Sequence, residues 1–144
     1  MDKAPVILIA SPDHVSMDRE ADFYRRLGHP VEECLGPDSK EGGCPLLIGE
    51  ACPLVEEADG VIFQLDLDVA ENRRVLAKYI NYFGKLGVPV RVMVRPQQKE
   101  RWAKLLQLVE VWTAPVTVDK LDGFSSEVTY GWDEAPKPHP ASAV

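Results

Sequence analysis

Two aspartates that follow a predicted buried strand are the residues best suited to chemistry in this sequence. Asp66 and Asp68 come shortly after Gln64, which itself follows the apolar run 61–63. Carboxylates at the end of a strand offer the oxygen ligands that Mg²⁺ prefers. Acidic residues are also common in loops, where they are solvated or cap a turn. The pair therefore has two interpretations, a magnesium site or a solvated acidic rim.

Polar side chains also follow the other predicted strands. In a parallel sheet with right-handed crossovers, the carboxyl ends of all strands meet at one edge. Asp13 has a second interpretation there, as the cap of a turn. We expect a binding rim at that edge, made of Asp13, His14, Gln64, Asp66, Asp68, Arg95 and Thr113.

Three cysteines form a second set of reactive side chains: Cys34, Cys44 and Cys52. Their spacing matches no compact zinc motif. With His14 or His29 they could still assemble a metal site in the folded chain, and two of them could form a disulfide. Thiols at a helix N-terminus are more reactive, which makes Cys52 the reactive candidate. Cysteine is also often buried as a small apolar residue, so redox or metal chemistry and inert packing both remain open.

Common phosphate-binding and nucleophile motifs are missing. Residues 11–14, which follow the first predicted strand, contain no glycine that would admit a pyrophosphate. The sequence also has no Gly-x-Ser-x-Gly elbow. Both observations argue against a dinucleotide-binding protein, a P-loop protein or an α/β hydrolase.

The elements that would position these residues alternate between strand and helix. Apolar runs predict strands at 6–10, 31–35, 88–94 and 109–113, and a further strand within 58–68. Helices are predicted from a Ser16 cap to Gly28, from Pro53 through Ala58, over 71–86 and 98–108, and from Asp119 onward. This alternation predicts an α/β fold, a three-layer α/β/α sandwich around a parallel sheet. Residues 1–130 would form this domain, and the Pro-rich residues 131–144 a flexible tail.

Composition restricts the classes of function. The 144 residues suit a single domain, and the formal charge of −7 disfavours nucleic acid and anionic membranes as partners. There is no Lys/Arg-dense run, no apolar run long enough to span a membrane and no secretory signal. An odd number of cysteines without an export signal favours a cytoplasmic location.

The order of these motifs resembles a response-regulator receiver domain over about residues 5–130. Asp13 after Pro12 resembles the acidic residues that follow the family's first strand, and residues 58–63 resemble the lead-in to its phosphoacceptor. Residues 89–94 resemble the fourth strand, and 113–115 the Lys-Pro turn after the fifth. The resemblance implies a flavodoxin-like, receiver-like strand order of 2-1-3-4-5. It places Gln64 at the acceptor position and Ala114 at the lysine position, which implies a pseudo-receiver that signals by binding. A shift of the strand by two residues would place Asp66 there instead.

A second set of residues resembles the nucleoside deoxyribosyltransferases. It comprises residues 57–62, Asp66, Asp68 and residues 87–90. That resemblance implies a carboxylate nucleophile, for which Glu71 is the nearest match, although Val69 and Ala70 replace the small Gly-containing turn that precedes the family's glutamate.

The leading prediction is a receiver-like interaction domain without the usual phosphoacceptor. It would bind a protein partner or associate with itself, for instance as a homodimer. Its interaction surface is expected near the fourth and fifth strands and their helices, with redox or metal input through the cysteines as an addition. No cofactor is required by this prediction, although Mg²⁺ or a thiolate-bound metal is compatible with it. The alternative is a small nucleoside-processing enzyme.

Overall fold

The computed structural model describes residues 4–37 and 44–134. The strands are β1 (Ile7–Ala10), β2 (Val31–Cys34), β3 (Gly60–Phe63), β4 (Val90–Val94) and β5 (Glu110–Thr113). They form a five-stranded sheet in the order β2-β1-β3-β4-β5, and every neighbouring pair is parallel. This confirms the predicted α/β class, the parallel sheet and the strand order.

Helices connect the strands. They are α1 (His14–Arg26), α2 (Pro53–Glu57), α3 (Ala70–Leu86), α4 (Pro96–Arg101), α5 (Ala103–Leu106) and α6 (Val118–Glu134), and a short 3-10 helix (Pro45–Ile48) precedes α2. No helix in the described part of the chain is long and apolar enough to cross a membrane.

Alternating strand residues serve two cores, one on each face of the sheet. Leu8, Val61 and Phe63 belong to the core that contains the buried residues of α2 and α3. Ile9 and Ile62, one position away, belong to the core that contains those of α1 and α6. Because successive strand residues point to opposite faces, this division produces the predicted three-layer arrangement.

The start of β3 lies directly against α6. A Cβ atom added to Gly60 would lie 2.5 Å from Val128 Cγ2, a distance at which something must shift. Only glycine therefore allows the strand and the helix to approach this closely.

Several predicted element boundaries are wrong, most clearly those of three helices. Helix α1 begins at His14 with Asp13 as its cap, not after Ser16. The helix predicted over 98–108 is divided into α4 and α5 because Trp102, between them, has a non-helical backbone. Helix α6 continues past Gly131, where an extended tail was expected, and its Trp132 lines a small cavity together with Val88 and Pro89. The remainder of the predicted tail lies outside the described residues.

Candidate functional site

A cleft of about 430 Å³ opens at the carboxyl edge of the sheet. It lies where β1, β3, β4 and β5 end, so it occupies the position predicted for the binding rim. Of the predicted rim residues, Gln64, Asp66 and Arg95 line it, and Asp13, His14, Asp68 and Thr113 do not. Its other lining residues are Pro12, Ser16, Leu65, Met93, Val94, Gln98 and Ala114.

Gln64 is fixed at the end of β3 by backbone and side-chain contacts. Its backbone amide donates to the carbonyl of Ala10 at 2.6 Å, which continues the pairing of β3 with β1. Its side-chain Nε2 donates to Oε1 of Glu20 in α1 at 3.2 Å. An amide here offers a donor and an acceptor, and it lacks the carboxylate that could form an acyl phosphate.

Glu20 is a residue that the sequence prediction missed. It is only 6% exposed, and its second oxygen, Oε2, has no hydrogen-bond partner among the described residues. The signal was helical periodicity, because Glu20 shares the buried face of α1 with Met17, Ala21 and Tyr24. Buried carboxylates are uncommon, so the Glu20 carboxylate beside Gln64 is an unusual feature of this structure.

Asp13 is used as a helix cap. Its Oδ1 accepts a hydrogen bond from the backbone amide of Ser16 at 2.7 Å, and this bond lowers the pKa of Asp13 below its ordinary value. Asp13 therefore caps helix α1, where the sequence had suggested the cap of a turn, and its carboxylate is not in the cleft lining.

His14 lies toward β2. Its Nδ1 is 3.1 Å from Oε1 of Glu33, and Arg25 donates to the other oxygen of Glu33 at 3.2 Å. These contacts, of which the one with His14 is the larger, lower the pKa of Glu33. His14 therefore belongs to an exposed charge cluster at the sheet edge, outside the cleft.

Asp66 contacts the first turn of α4. Gln98, which is buried, donates from Nε2 to Asp66 Oδ1 at 2.7 Å, and Arg95 Nη2 is 3.7 Å from the same oxygen. The backbone amide of Asp68 also donates to this oxygen at 3.0 Å. Much of the hydrogen-bonding capacity of Oδ1 is thus satisfied within the chain.

Asp68 is held by α4 and the α4–α5 junction. Its Oδ1 accepts from Arg101 at 2.8 Å and from Trp102 Nε1 at 3.2 Å, and its Oδ2 accepts from Arg95 at 3.2 Å. The hydrogen bond from Trp102 is the largest cause that lowers the pKa of Asp68, and Arg101 adds to it. Asp68 therefore ties the β3–α3 loop to the neighbouring helices.

Thr113 ends β5, where it pairs with Val94 and is half-buried. Its neighbour Ala114 is the residue of this strand end that lines the cleft. No amine therefore enters the cleft from this position, since alanine has only a methyl group.

The described residues, 4–37 and 44–134, contain no cluster of three or more His, Cys, Asp or Glu side chains placed to hold a metal ion. Asp13 is engaged with α1 and Asp68 with the α4–α5 junction, which separates their contacts. The possibility of Mg²⁺ or a thiolate-bound metal stays a prediction.

The three cysteines share one region of the core. Cys34, Cys44 and Cys52 are 5–6% exposed and none is in a disulfide. Cys52 is the N-cap of α2, as predicted, although its side chain makes no cap hydrogen bond. All three influence Tyr79: burial is the main cause that raises the pKa of Tyr79, followed by charge interactions with the thiols and a hydrogen bond with Cys34. The reactive or inert character of these thiols stays a prediction.

Comparison with known proteins identifies the architecture. No protein-family model and no curated protein matches the sequence. The structure is similar to a CheY-like receiver domain from Methanospirillum hungatei, with 16% identity, a TM-score of 0.62 and coverage of 92% of this chain and 99% of the other. The chain has a receiver-like fold.

Two further receiver domains agree. One, from an HD domain-containing protein of Pseudomonas fluorescens, has 13% identity, a TM-score of 0.64 and coverage of 93% of each chain. The other is the receiver domain of Ssk1 from Saccharomyces cerevisiae, solved with the histidine phosphotransfer protein Ypd1, with 14% identity, a TM-score of 0.63 and coverage of 94% of each chain. Matches at this identity establish the fold of the receiver-like domain.

The nucleoside-enzyme interpretation gains no support from these matches. Glu71, its candidate nucleophile, is exposed in the first turn of α3 and does not line the cleft.

Proposed function

We propose that this receiver-like domain acts by binding a protein partner and is not phosphorylated at the usual position. The observation that carries the proposal is Gln64, which follows β3 directly and whose amide is bound to Glu20. A side-chain amide is not nucleophilic enough to take a phosphoryl group, and it has no carboxylate to do so.

The surroundings of Gln64 support the same proposal. Phosphoryl transfer depends on cations that neutralise the charge of the transferred group. Ala114 supplies no cation to the cleft, and Arg95, which does line it, is paired with Asp66 and Asp68. Asp13, a possible Mg²⁺ ligand, is engaged as a helix cap. Asp66, the acidic residue among the side chains described as lining the cleft, accepts hydrogen bonds from Gln98 and from the Asp68 backbone.

The receiver domain of Ssk1 was solved with a protein partner, which favours protein binding as the output of this domain as well. The surface that we propose for it lies at β4, β5 and their adjoining helices. Self-association through the same surface is the second form of this proposal.

Treatment with acetyl phosphate or beryllofluoride and Mg²⁺ tests the missing reaction. We expect no phosphoryl adduct by intact-mass spectrometry and no change in the amide NMR spectrum near β3. The matched variant carries Gln64→Asp and Ala114→Lys. It measures how much these two replacements by themselves allow phosphorylation. A phosphoryl adduct on the wild-type protein that Asp66→Asn abolishes would overturn the proposal.

A further inference from the structure

An open groove runs between α3 and the α4–α5 segment, outside the cleft described above. Its larger part has a volume of about 800 Å³ and continues along α3 into a second part of about 480 Å³. Ala77, Lys104 and Leu105 line both parts, which makes the two one continuous surface. None of the residues that line the cleft lines this groove.

The floor of the groove is apolar and shaped by small residues. Ala70, Ala77 and Gly84 recur every seven positions along α3, so they lie on nearly one face of the helix. On the opposite wall are Ala103, Leu105 and Leu108, and Leu108 is 77% exposed. Small residues along a helix leave room for another helix to approach closely, and an exposed leucine offers it an apolar contact.

The charge of this region is opposite to that of the rest of the chain. Residues 70–106 contain nine of the sixteen Lys and Arg residues but two of the twenty-three Asp and Glu residues, a formal charge of +7. Because the whole chain has a formal charge of −7, the residues outside this segment have a formal charge of −14. Neither strand nor helix pattern reveals this, because the basic residues are spaced along several elements rather than in one run.

Three of these cations line the groove without an ion-pair partner among the described residues. Arg73 stacks on the Trp102 ring at 4.0 Å and Arg101 pairs with Asp68, so both are engaged. Arg74, Lys85 and Lys104 also line the groove, and the described residues provide no carboxylate within ion-pair distance of them. Glu100 is the one acidic residue among the lining side chains that the structure describes.

We propose that this groove binds an acidic amphipathic helix of a partner protein. The inference rests on the proposed protein-binding function and names the site and the chemistry of the partner. Leucine-like side chains of the partner would cover the apolar floor, and its flanking Glu and Asp residues would pair with Arg74, Lys85 and Lys104. Helix-in-groove recognition of this kind uses apolar anchors spaced three and four residues apart.

Charge complementarity favours an acidic helix over two other possible occupants, the chain's own C-terminal residues and a nucleic acid. Residues 135–144 of the chain contain no Asp or Glu, so the chain's own C-terminal residues lack the complementary charge. A nucleic acid would meet the cations but also the −14 carried by the rest of the molecule. A separate acidic helix meets the basic rim and the apolar floor together.

Selection from a displayed library of helix-forming peptides, about as long as α3, tests the proposal. The library is selected on the wild-type protein and counter-selected on the Arg74→Glu/Lys104→Glu variant. We expect the enriched peptides to place apolar residues at three- and four-residue spacing with Glu and Asp beside them. Fluorescence anisotropy should show binding that weakens at least about tenfold in that variant, because two attractive contacts become repulsive.

The matched control is Arg26→Glu/Lys120→Glu, which reverses two exposed cations elsewhere and should leave the affinity unchanged. On the wild-type protein, added salt should weaken binding, a readout that does not depend on a variant folding. Enrichment of basic or neutral peptides, or equal affinity for both charge-reversed variants, would overturn the proposal.

Two other results would assign the groove to a different occupant, and either of them would also overturn the proposal. One is displacement of the peptide by an oligonucleotide. The other is a dimer, measured by sedimentation, that Leu108→Glu or the Arg74/Lys104 reversal dissociates. Phosphorylation of the wild-type protein would remove the proposed function without changing the peptide result, so the two failures are distinguishable.

Discussion

The side-chain amide of Gln64 donates to Oε1 of Glu20 at 3.2 Å and joins the end of β3 to α1. Glu20 is a buried acid whose Oε2 has no partner among the described residues. The Gln64 amide donates to its other oxygen, Oε1. Gln64 thus stabilises the fold through a hydrogen bond that an ionised carboxylate could not donate.

Replacement of this amide by a carboxylate should destabilise the protein in a pH-dependent way. In Gln64→Glu, two carboxylates would face each other, and the loss of unfolding free energy should be roughly 1–3 kcal/mol near neutral pH. The loss should be smaller at mildly acidic pH, because two carboxylates this close favour a shared proton. Urea denaturation at both pH values measures this. Gln107→Glu, at an exposed position, is the control; equal losses at both pH values would contradict the argument.

Asp68 should stabilise the fold only while it is ionised. Its pKa in the folded protein is lowered from 3.8, chiefly by Trp102, so its contribution is present above pH 3.8 and is lost as pH falls through the lower folded pKa. We expect Asp68→Asn to lower the urea midpoint at neutral pH and the difference from wild type to close below pH 3.8. Trp102 fluorescence reports the same loss locally. Asp22→Asn, an exposed acid of α1, is the control, and a difference independent of pH would argue against this role.

The stability of the fold around the buried Arg91 should depend on Glu110 and Glu127 jointly. The Arg91 side chain is 11% exposed; Nε lies 2.8 Å from Glu110 Oε2, and Nη2 pairs with Glu127. Either Glu110→Gln or Glu127→Gln leaves one carboxylate, whereas the double variant leaves a largely buried cation without either. The double variant should therefore cost more than the sum of the singles, in total about 3 kcal/mol. Glu50→Gln/Glu57→Gln provides the control cycle, and strict additivity at Glu110 and Glu127 would refute the joint role.

Gly60→Ala should destabilise through a clash with α6. The added methyl would lie 2.5 Å from Val128 Cγ2, and overpacking of this kind typically costs about 1–3 kcal/mol. Removal of the opposing methyl groups in Val128→Ala should recover part of the loss, although Val128→Ala alone destabilises a packed site. Thermal unfolding of the single and double variants gives the coupling. Gly123→Ala, with nothing near its added Cβ, is the control. A double variant as unstable as the summed singles would contradict this account.

The cysteines should react slowly in the native protein. Each is 5–6% exposed, so a thiol reagent needs at least local opening to reach it. Titration with Ellman's reagent should show three slow thiols in buffer and three fast thiols in denaturant. Three fast thiols in buffer would refute their burial, and a bound metal after purification without chelator would favour the metal interpretation.

Sequence alone determined the architecture of this protein. Short apolar runs alternate with amphipathic segments, and this periodicity reflects burial on both faces of a parallel sheet. The identity of Gln64 at the end of β3 and of Ala114 after β5 was equally readable, because both follow a strand directly.

Tertiary structure decided where the polar side chains of the rim are used. Asp66 and Asp68 look like a pair in the sequence, yet their donors Gln98 and Arg101 lie 32 and 33 residues away, on a helix whose placement no local pattern gives. Glu20 is far from Gln64 in the sequence, and only the fold places it within hydrogen-bond distance of that amide. The basic groove was hidden for the same reason: its cations are separated along the chain and are brought together only when α3 packs beside α4 and α5.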